Sequence, residues 1–462
     1  MNSTFKKRFF HAAGCRLLIL IGLVISQPMW AQTADSSASF SIKDCIEYAT
    51  KKNSKLKVSR YDEEIAQQQV RQIRGRGLPQ VNVNGTFEDR IKIPLFIIPG
   101  LAEGGIKAGY QFNTNLSGEV TQMLFDPSFW VGLKAAKYSN QLYQQNTQQV
   151  NEQTAYSIAD AYYQVIVAQK QLQLLHSNLT NTQATLNSTE LQFKNGVAKQ
   201  VDVSRLKVNA SNLQSQIRQS ELSLLQSLNN LKFQMGMPLT EQITLSDTTL
   251  TFNESDAFYS DASENSFEGR IDYRILQTNL ALQGLDKRNI ASGYYPTLTA
   301  FANYGYTGQG SNFGFFKTPG NGWIDYTSSS IGLRLRIPIF DGLQRSAQVQ
   351  QSKLKARQIE ENITLTKQNI SLEVANSLTQ YRNTVQRIES EQKNVELAQE
   401  VYQITQLEFR EGVGTSTDVV NAETSLRQAQ NTYITTLLDL YRARLNIERS
   451  KGNLLPYLNS AK

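Results

Sequence analysis

Apolar residues recur along this chain with two different periods, and each change of period marks an element. Ile42, Cys45, Ile46 and Ala49 share one helical face, which predicts a short amphipathic helix from Ser41 to Asn53. A more polar helix continues to about Arg76, and Pro79 ends it. The period then becomes two: Val81, Val83, Gly85 and Phe87 alternate with Asn82, Asn84, Thr86 and Glu88. That pattern predicts a strand with one apolar and one wet face. Residues 93–107 carry Pro94, Pro99, Gly100, Gly104 and Gly105 and read as a loop. A second strand sets Phe112, Thr114, Leu116, Gly118 and Val120 against Gln111, Asn113, Asn115, Ser117 and Glu119. From Ser128 the spacing is helical again, with Ile158, Val165, Leu172, Leu179, Leu186 and Phe193 at seven-residue intervals. The stretch from Ser128 to Lys194 corresponds to roughly 100 Å of helix. A returning stripe, Leu206, Leu213, Ile217, Leu224 and Leu231, runs to Met235.

The second half repeats the first. Phe193-Lys194-Asn195-Gly196-Val197, followed by Asp202, returns as Phe409-Arg410-Glu411-Gly412-Val413, followed by Asp418, at an offset of 409 − 193 = 216. Ile271 to Tyr294 reads as a helix that stops at Pro296, and Leu298 to Tyr306 as the strand with the weakest alternation. Gly308 to Tyr326 reads as a loop rich in Gly, Asn and aromatic residues. Ile331, Leu333, Leu335 and Ile337 then alternate with Gly332, Arg334 and Arg336. Ile339-Phe340-Asp341-Gly342 echoes Leu124-Phe125-Asp126-Pro127. Val374, Tyr381, Ile388, Val395, Tyr402 and Phe409 repeat the heptad stripe in register. No proline falls between Pro127 and Pro238 or between Pro338 and Pro456. A proline inside a helix costs about 3 kcal/mol, so both gaps favour unbroken helices. Each Gly-Val phrase therefore reads as the tight turn of a long hairpin, because glycine reaches positive φ without a Cβ penalty.

The expected organisation is a first repeat over 32–237, with strands at about 80–92 and 108–125 and a hairpin tip at 194–202. A linker over 238–268 precedes a second repeat over 269–452, with strands at about 297–308 and 327–340 and a tip at 410–418. Residues 453–462 form a C-terminal tail. The fold class is α+β. Four strands per chain cannot close a barrel, since the smallest packed barrels need about eight. An open edge in lipid leaves unpaired N–H and C=O groups. Several chains must share any barrel, and three chains would supply twelve strands. The apolar stripes of the helices are narrow and the other faces wet, which suits a wall with water on both sides.

Composition narrows this further. Of the formal charge of +7, Lys6, Lys7, Arg8 and Arg16 contribute four, leaving 7 − 4 = +3, too little to argue for nucleic acid. Lys6 to Arg8 followed by the apolar run Leu17 to Ile25 reads as a signal peptide over 1–31, with Gln32 as the mature start. Cys15 follows Ala12-Ala13-Gly14 in the manner of a lipid-attachment site, but it precedes the apolar run instead of following it. Cys45 is then the only cysteine after residue 31 and has no disulfide partner within the chain. His176 is the only histidine there, and it aligns with Gln392 in the repeat, so polar surface explains it. No catalytic, cofactor or metal site is expected.

The duplication, Leu78-Pro79 with Tyr295-Pro296, Phe125-Asp126 with Phe340-Asp341, and the paired Gly-Val turns with Asp202 and Asp418 resemble TolC-type outer-membrane efflux proteins over about residues 40–452. The resemblance implies a homotrimer in which long helical hairpins form an α-barrel across the periplasm. The strands form one shared 12-stranded β-barrel in outer-membrane lipid, and the linker and C-terminal tail belt the helices. It implies a periplasmic adaptor (a membrane fusion protein) gripping Gly196, Val197, Gly412 and Val413, and an inner-membrane transporter behind it. It places Asp202, Asp418, Asn421, Phe409 and Gly414 at the periplasmic entrance. There the family carries a second aspartate at the position of Asn421, a latch tyrosine at Phe409 and a latch arginine at Gly414. This chain lacks all three, so closure by that latch is not expected. Capping of the returning helices is the plain alternative for Asp202 and Asp418, and it is compatible with a pore role. A non-channel periplasmic coiled-coil scaffold or adaptor is the other function class; the four strands favour the channel.

Overall fold

The computed structural model describes residues 39–97, 106–247, 267–313 and 322–460. The expected signal peptide and Cys15, the middle of the 93–107 loop and most of the linker lie outside the described residues. In chain order, β1 (Ser39–Phe40) leads to α1 (Ile42–Lys52), where Ser41 and Asp44 form a reciprocal capping box. Next come α2 (Ser54–Gly75), β2 (Gln80–Asp89), β3 (Leu95–Phe96), β4 (Ile106–Lys107) and β5 (Phe112–Phe125). The first hairpin is α3 (Pro127–Lys194) and α4 (Gln200–Met235). After β6 (Thr244–Leu245) the second half runs α5 (Ile271–Ser292), β7 (Thr297–Gly310), β8 (Trp323–Arg336), α6 (Gln344–Arg410), α7 (Ser416–Ser450) and α8 (Leu454–Ser460).

The sheet order is β2-β5-β7-β8, all antiparallel, so the two repeats supply adjacent pairs and both outer strands have an unpaired edge. One face gathers Val81, Val83, Leu116, Val120, Tyr304, Ile331, Leu333 and Leu335, all exposed. The other carries Asn82, Asn84, Ser117, Glu119, Asn303, Ser330, Arg334 and Arg336. Exposed apolar strands with free edges call for a covering phase and an edge partner. Among the described residues, no helix is long and apolar enough to cross a membrane.

The strand ends differ from the sequence expectation. The first two strands are shorter, Gln80–Asp89 and Phe112–Phe125, because Gly109 turns the chain at φ +99° and the Arg90 N–H closes the ladder on the Gln111 carbonyl. The expected loop between them holds the short β3–β4 pair. Of the last two, Thr297–Gly310 runs two residues beyond the expected 297–308, and Trp323–Arg336 is displaced by four residues from 327–340. Gly308 and Gly310, read as loop residues, are strand positions: Gly308 makes room for the Thr114 methyl and Gly310 for the Trp323 indole. A Cβ on Gly310 would lie 2.7 Å from that ring. Beyond Arg336, Pro338 cannot extend the ladder.

The shorter helices pack along the two long ones: α2 and α4 lie against α3, α7 against α6, and α5 against both α3 and α6. The joints repeat. Gly236, at φ +74°, lies where a Cβ would meet the Asn53 backbone at 2.8 Å, and the Asn53 side chain donates to the Gln234 carbonyl at 2.7 Å. Gly452, at φ +75°, meets the Gly269 carbonyl in the same way at 2.8 Å, and Arg270 donates to the Arg449 carbonyl at 3.0 Å. Both pairs obey the repeat offset, 452 − 236 = 216 and 269 − 53 = 216. Around the first joint lies the largest core, joining Ile42, Cys45 and Ile46 of α1, Ile158 to Ile166 of α3, Leu231, Met235, Leu245, and Leu454 and Leu458 of α8. Helix α1 thus shares this core with the linker strand β6 and the tail, and burial pushes the Cys45 thiol up to about 12. Asp126 caps α3, its Oδ1 accepting the Ser128 N–H at 2.9 Å, and Asp341 holds the Arg345 N–H at 3.3 Å at the start of α6. The repeated Phe-Asp phrase therefore marks where sheet turns into helix.

Candidate functional site

The two hairpin turns share one geometry. Gly196 has φ +76° and Gly412 φ +80°, and the N–H groups of Val197 and Val413 donate back to Gln192 and Glu408 at 2.8 and 3.0 Å. This six-to-one bond closes the orphan carbonyls at a helix C-terminus, and it needs the left-handed residue that glycine supplies. Val197 and Val413 are 73% and 80% exposed, so both turns present an isopropyl group outward instead of tucking it under the helix.

Asp202 and Asp418 each stand three residues past the first residue of the returning turn. The Thr415 N–H and hydroxyl donate to Asp418 Oδ2 at 3.2 and 2.6 Å, and the Asp418 N–H donates to Thr415 Oγ1 at 3.3 Å, a complete capping box. In the first hairpin, Lys199 provides only its N–H, at 3.3 Å from Asp202 Oδ2. That leaves Asp202 Oδ1 free to accept from the buried Ser416 hydroxyl at 2.6 Å. Arg205 in turn donates to Ser416 Oγ at 2.6 Å and lies 3.7 Å from Asp202. The two tips are tied within one chain through Asp202, Ser416 and Arg205. Sequence reasoning named the aspartate of this bridge but neither Ser416 nor Arg205; their positions beside each helix start were the available signal.

The other residues expected at the entrance separate. Asn421 and Asp418 are exposed. Phe409 is a packing residue, 9% exposed, in a cluster with Leu186, Val203, Leu206, Tyr402, Val419, Ala422 and Leu426. A Cβ on Gly414 would meet the Phe409 nitrogen at 3.1 Å and the Glu408 carbonyl carbon at 3.3 Å, so a side chain there would be tight against the backbone of the turn. One residue that the sequence reading missed lies just inside the cluster. Glu423 is 3% exposed, and its two oxygens sit 2.7 Å from Thr182 Oγ1 and 2.7 Å from Asn209 Nδ2. Burial raises its carboxyl above the ordinary glutamate range, and burial with the nearby Glu423 pushes the Tyr402 phenol up to about 12. Its signal in the sequence was an acid on an apolar stripe, between Val419 and Leu426. His176 is exposed, and among the described residues no group of His, Cys, Asp and Glu could hold a metal ion.

Two helical hairpins, each built on a helix about 100 Å long, together with an open sheet that has one apolar face, are the architecture of outer-membrane channels that join a β-barrel to an α-barrel. Residues 45–237 and 288–453 match the outer membrane efflux protein family, and the chain belongs to it. It is 21% identical over 373 residues to the outer membrane protein TolC of Vibrio cholerae serotype O1, covering 77% of this chain and 82% of that one. It is 22% identical over 460 residues to TolC of Escherichia coli K12, covering 95% and 86%. The crystal structure of the Campylobacter jejuni CmeC outer membrane channel superposes with a TM-score of 0.72 at 14% identity, covering 89% of this chain and 86% of that one. The protein is therefore an outer-membrane efflux channel of the α-barrel and β-barrel fold, with its helices on the periplasmic side.

Proposed function

We propose that three copies of this chain close one twelve-stranded barrel and act as the exit duct of a tripartite efflux pump or type I secretion system. An inner-membrane transporter supplies the energy and a periplasmic adaptor connects it to the tips. The observation that carries this reading is the sheet: four strands, two unpaired edges and an exposed apolar face. The same sheet weighs against a periplasmic scaffold without a pore. Native mass spectrometry of detergent-extracted protein should give trimers, and the same preparation should conduct in planar bilayers. A folded monomer that conducts, or a trimer that never does, overturns the proposal.

In this reading Gly196, Val197, Gly412 and Val413 receive the adaptor, and Asp418 and Asn421 line the entrance. Replacing Gly196 and Gly412 together with valine puts a β-branched residue at positive φ, which costs about 1–2 kcal/mol at each turn. Nothing lies within 4 Å of either position to add a clash, so the strain stays at the tips. Membrane insertion should persist and export should fail. Unchanged export in the double variant would remove the tips as the docking site.

A further inference from the structure

The polar face of the sheet carries its charges in separate bands. Arg334 and Arg336 lie on β8 in register with Thr299 and Thr297 of β7, at the end of the sheet where the chain passes into the helices. Glu119 pairs with Asn303, which faces Ser330, four residues further along β8 from Arg334, roughly 13 Å away. Glu88 lies near the opposite end, opposite Asn113. The alternation that exposes Ile331, Leu333 and Leu335 on one face fixes both arginines on the other.

The first arginine is held in place. The Arg334 guanidinium stands over the Phe301 ring at 5.1 Å from its centroid. Gly332 makes room for that ring: a Cβ there would lie 2.7 Å from it. Neither arginine is in an ion pair among the described residues, whereas Arg345, just inside the helical part, is neutralised by Asp341 at 3.5 Å. Two positive groups are thus presented at one level with no carboxylate beside them.

We infer that Arg334 and Arg336 form an anion-binding band at the base of the β-barrel, selecting for solutes that carry carboxylate, phosphate or sulfate groups. The inference rests on the shared-barrel reading above, which turns the polar face inward and gathers two guanidinium groups from each of three chains. A ring of like charge on low-dielectric walls raises the local concentration of counter-ions and sets the sign of selectivity. Planar guanidinium forks suit oxyanions, and they keep their charge at every physiological pH.

The test is block of the reconstituted channel by tripolyphosphate added to the barrel side or to the helical side. The wild type should be blocked more readily from the barrel side. The double variant Arg334→Gln, Arg336→Gln should need about tenfold more tripolyphosphate or beyond. Its reversal potential in a potassium chloride gradient should shift toward cations. Equal block and equal reversal potential in the two proteins overturn the inference while leaving the channel intact. A wild type indifferent to tripolyphosphate from the barrel side overturns it without any variant. A wild type that does not conduct at all overturns the channel reading, and this one falls with it.

Discussion

Phe409→Ala should loosen the hairpin tips by about 3–5 kcal/mol, the cost of emptying an aromatic site in a packed cluster. The ring is 9% exposed and is surrounded by side chains from α3, α4, α6 and α7, so its loss affects both hairpins at once. Its counterpart in the first repeat, Phe193, is 40% exposed, and Phe193→Ala should cost less, roughly two-thirds as much by buried area. Hydrogen exchange separates the outcomes. In Phe409→Ala, amides near Leu186, Val203, Val419 and Leu426 should exchange faster, while those around Ile158 and Leu445 in the largest core should not change. Equal effects of the two variants would show that the repeats are packed alike and that the asymmetry between them carries no weight.

The asymmetry bears on what could be read from the sequence. The heptad stripe placed Phe409 and Phe193 at equivalent positions, and both hairpins, both turns and all four strands follow from period and offset alone. Family likeness instead put Phe409 in the place of a latch tyrosine, whereas the stripe put it in the seam, where it lies. The ends of β7 and β8 were hidden because Gly308 and Gly310 carry a turn-like composition. Their reason is Thr114 beside Gly308 and the Trp323 ring beside Gly310, both on neighbouring strands, and that is a tertiary fact. The joints at Gly236 and Gly452 were written in the sequence at the repeat offset of 216. What they abut, Asn53 and Gly269, becomes visible only when the shorter helices are laid along the longer ones. The bridge through Asp202, Ser416 and Arg205 depends on bringing two tips together that are more than two hundred residues apart.

Glu423 gives the tips a pH dependence whose sign follows from its surroundings. The group facing it from α3 is Thr182, from α4 Asn209 and from α6 Tyr402; Arg427, one turn along α7, makes no ion pair with it. Thr182 Oγ1 lies 2.9 Å from the Asn178 carbonyl and 2.7 Å from Glu423, and a hydroxyl has a single proton to give. A protonated Glu423 that donates to Thr182, while Thr182 donates to Asn178 and Asn209 donates to the other carboxyl oxygen, satisfies every group. Burial favours the same neutral form. The folded carboxyl therefore ionises at higher pH than the unfolded one. Its contribution is fully present below the ordinary glutamate range and is lost as pH rises from there toward the folded value. Tip opening, measured by hydrogen exchange as a function of pH, should become easier across that window in the wild type. Glu423→Gln keeps a donor and an acceptor in the same places and should abolish the slope while leaving the tips as stable as at low pH. Glu423→Ala strands the Asn209 amide and should cost about 1–3 kcal/mol at every pH. A wild-type tip that instead becomes harder to open as pH rises would mean that Glu423 is ionised in the folded protein and draws its stability from Arg427.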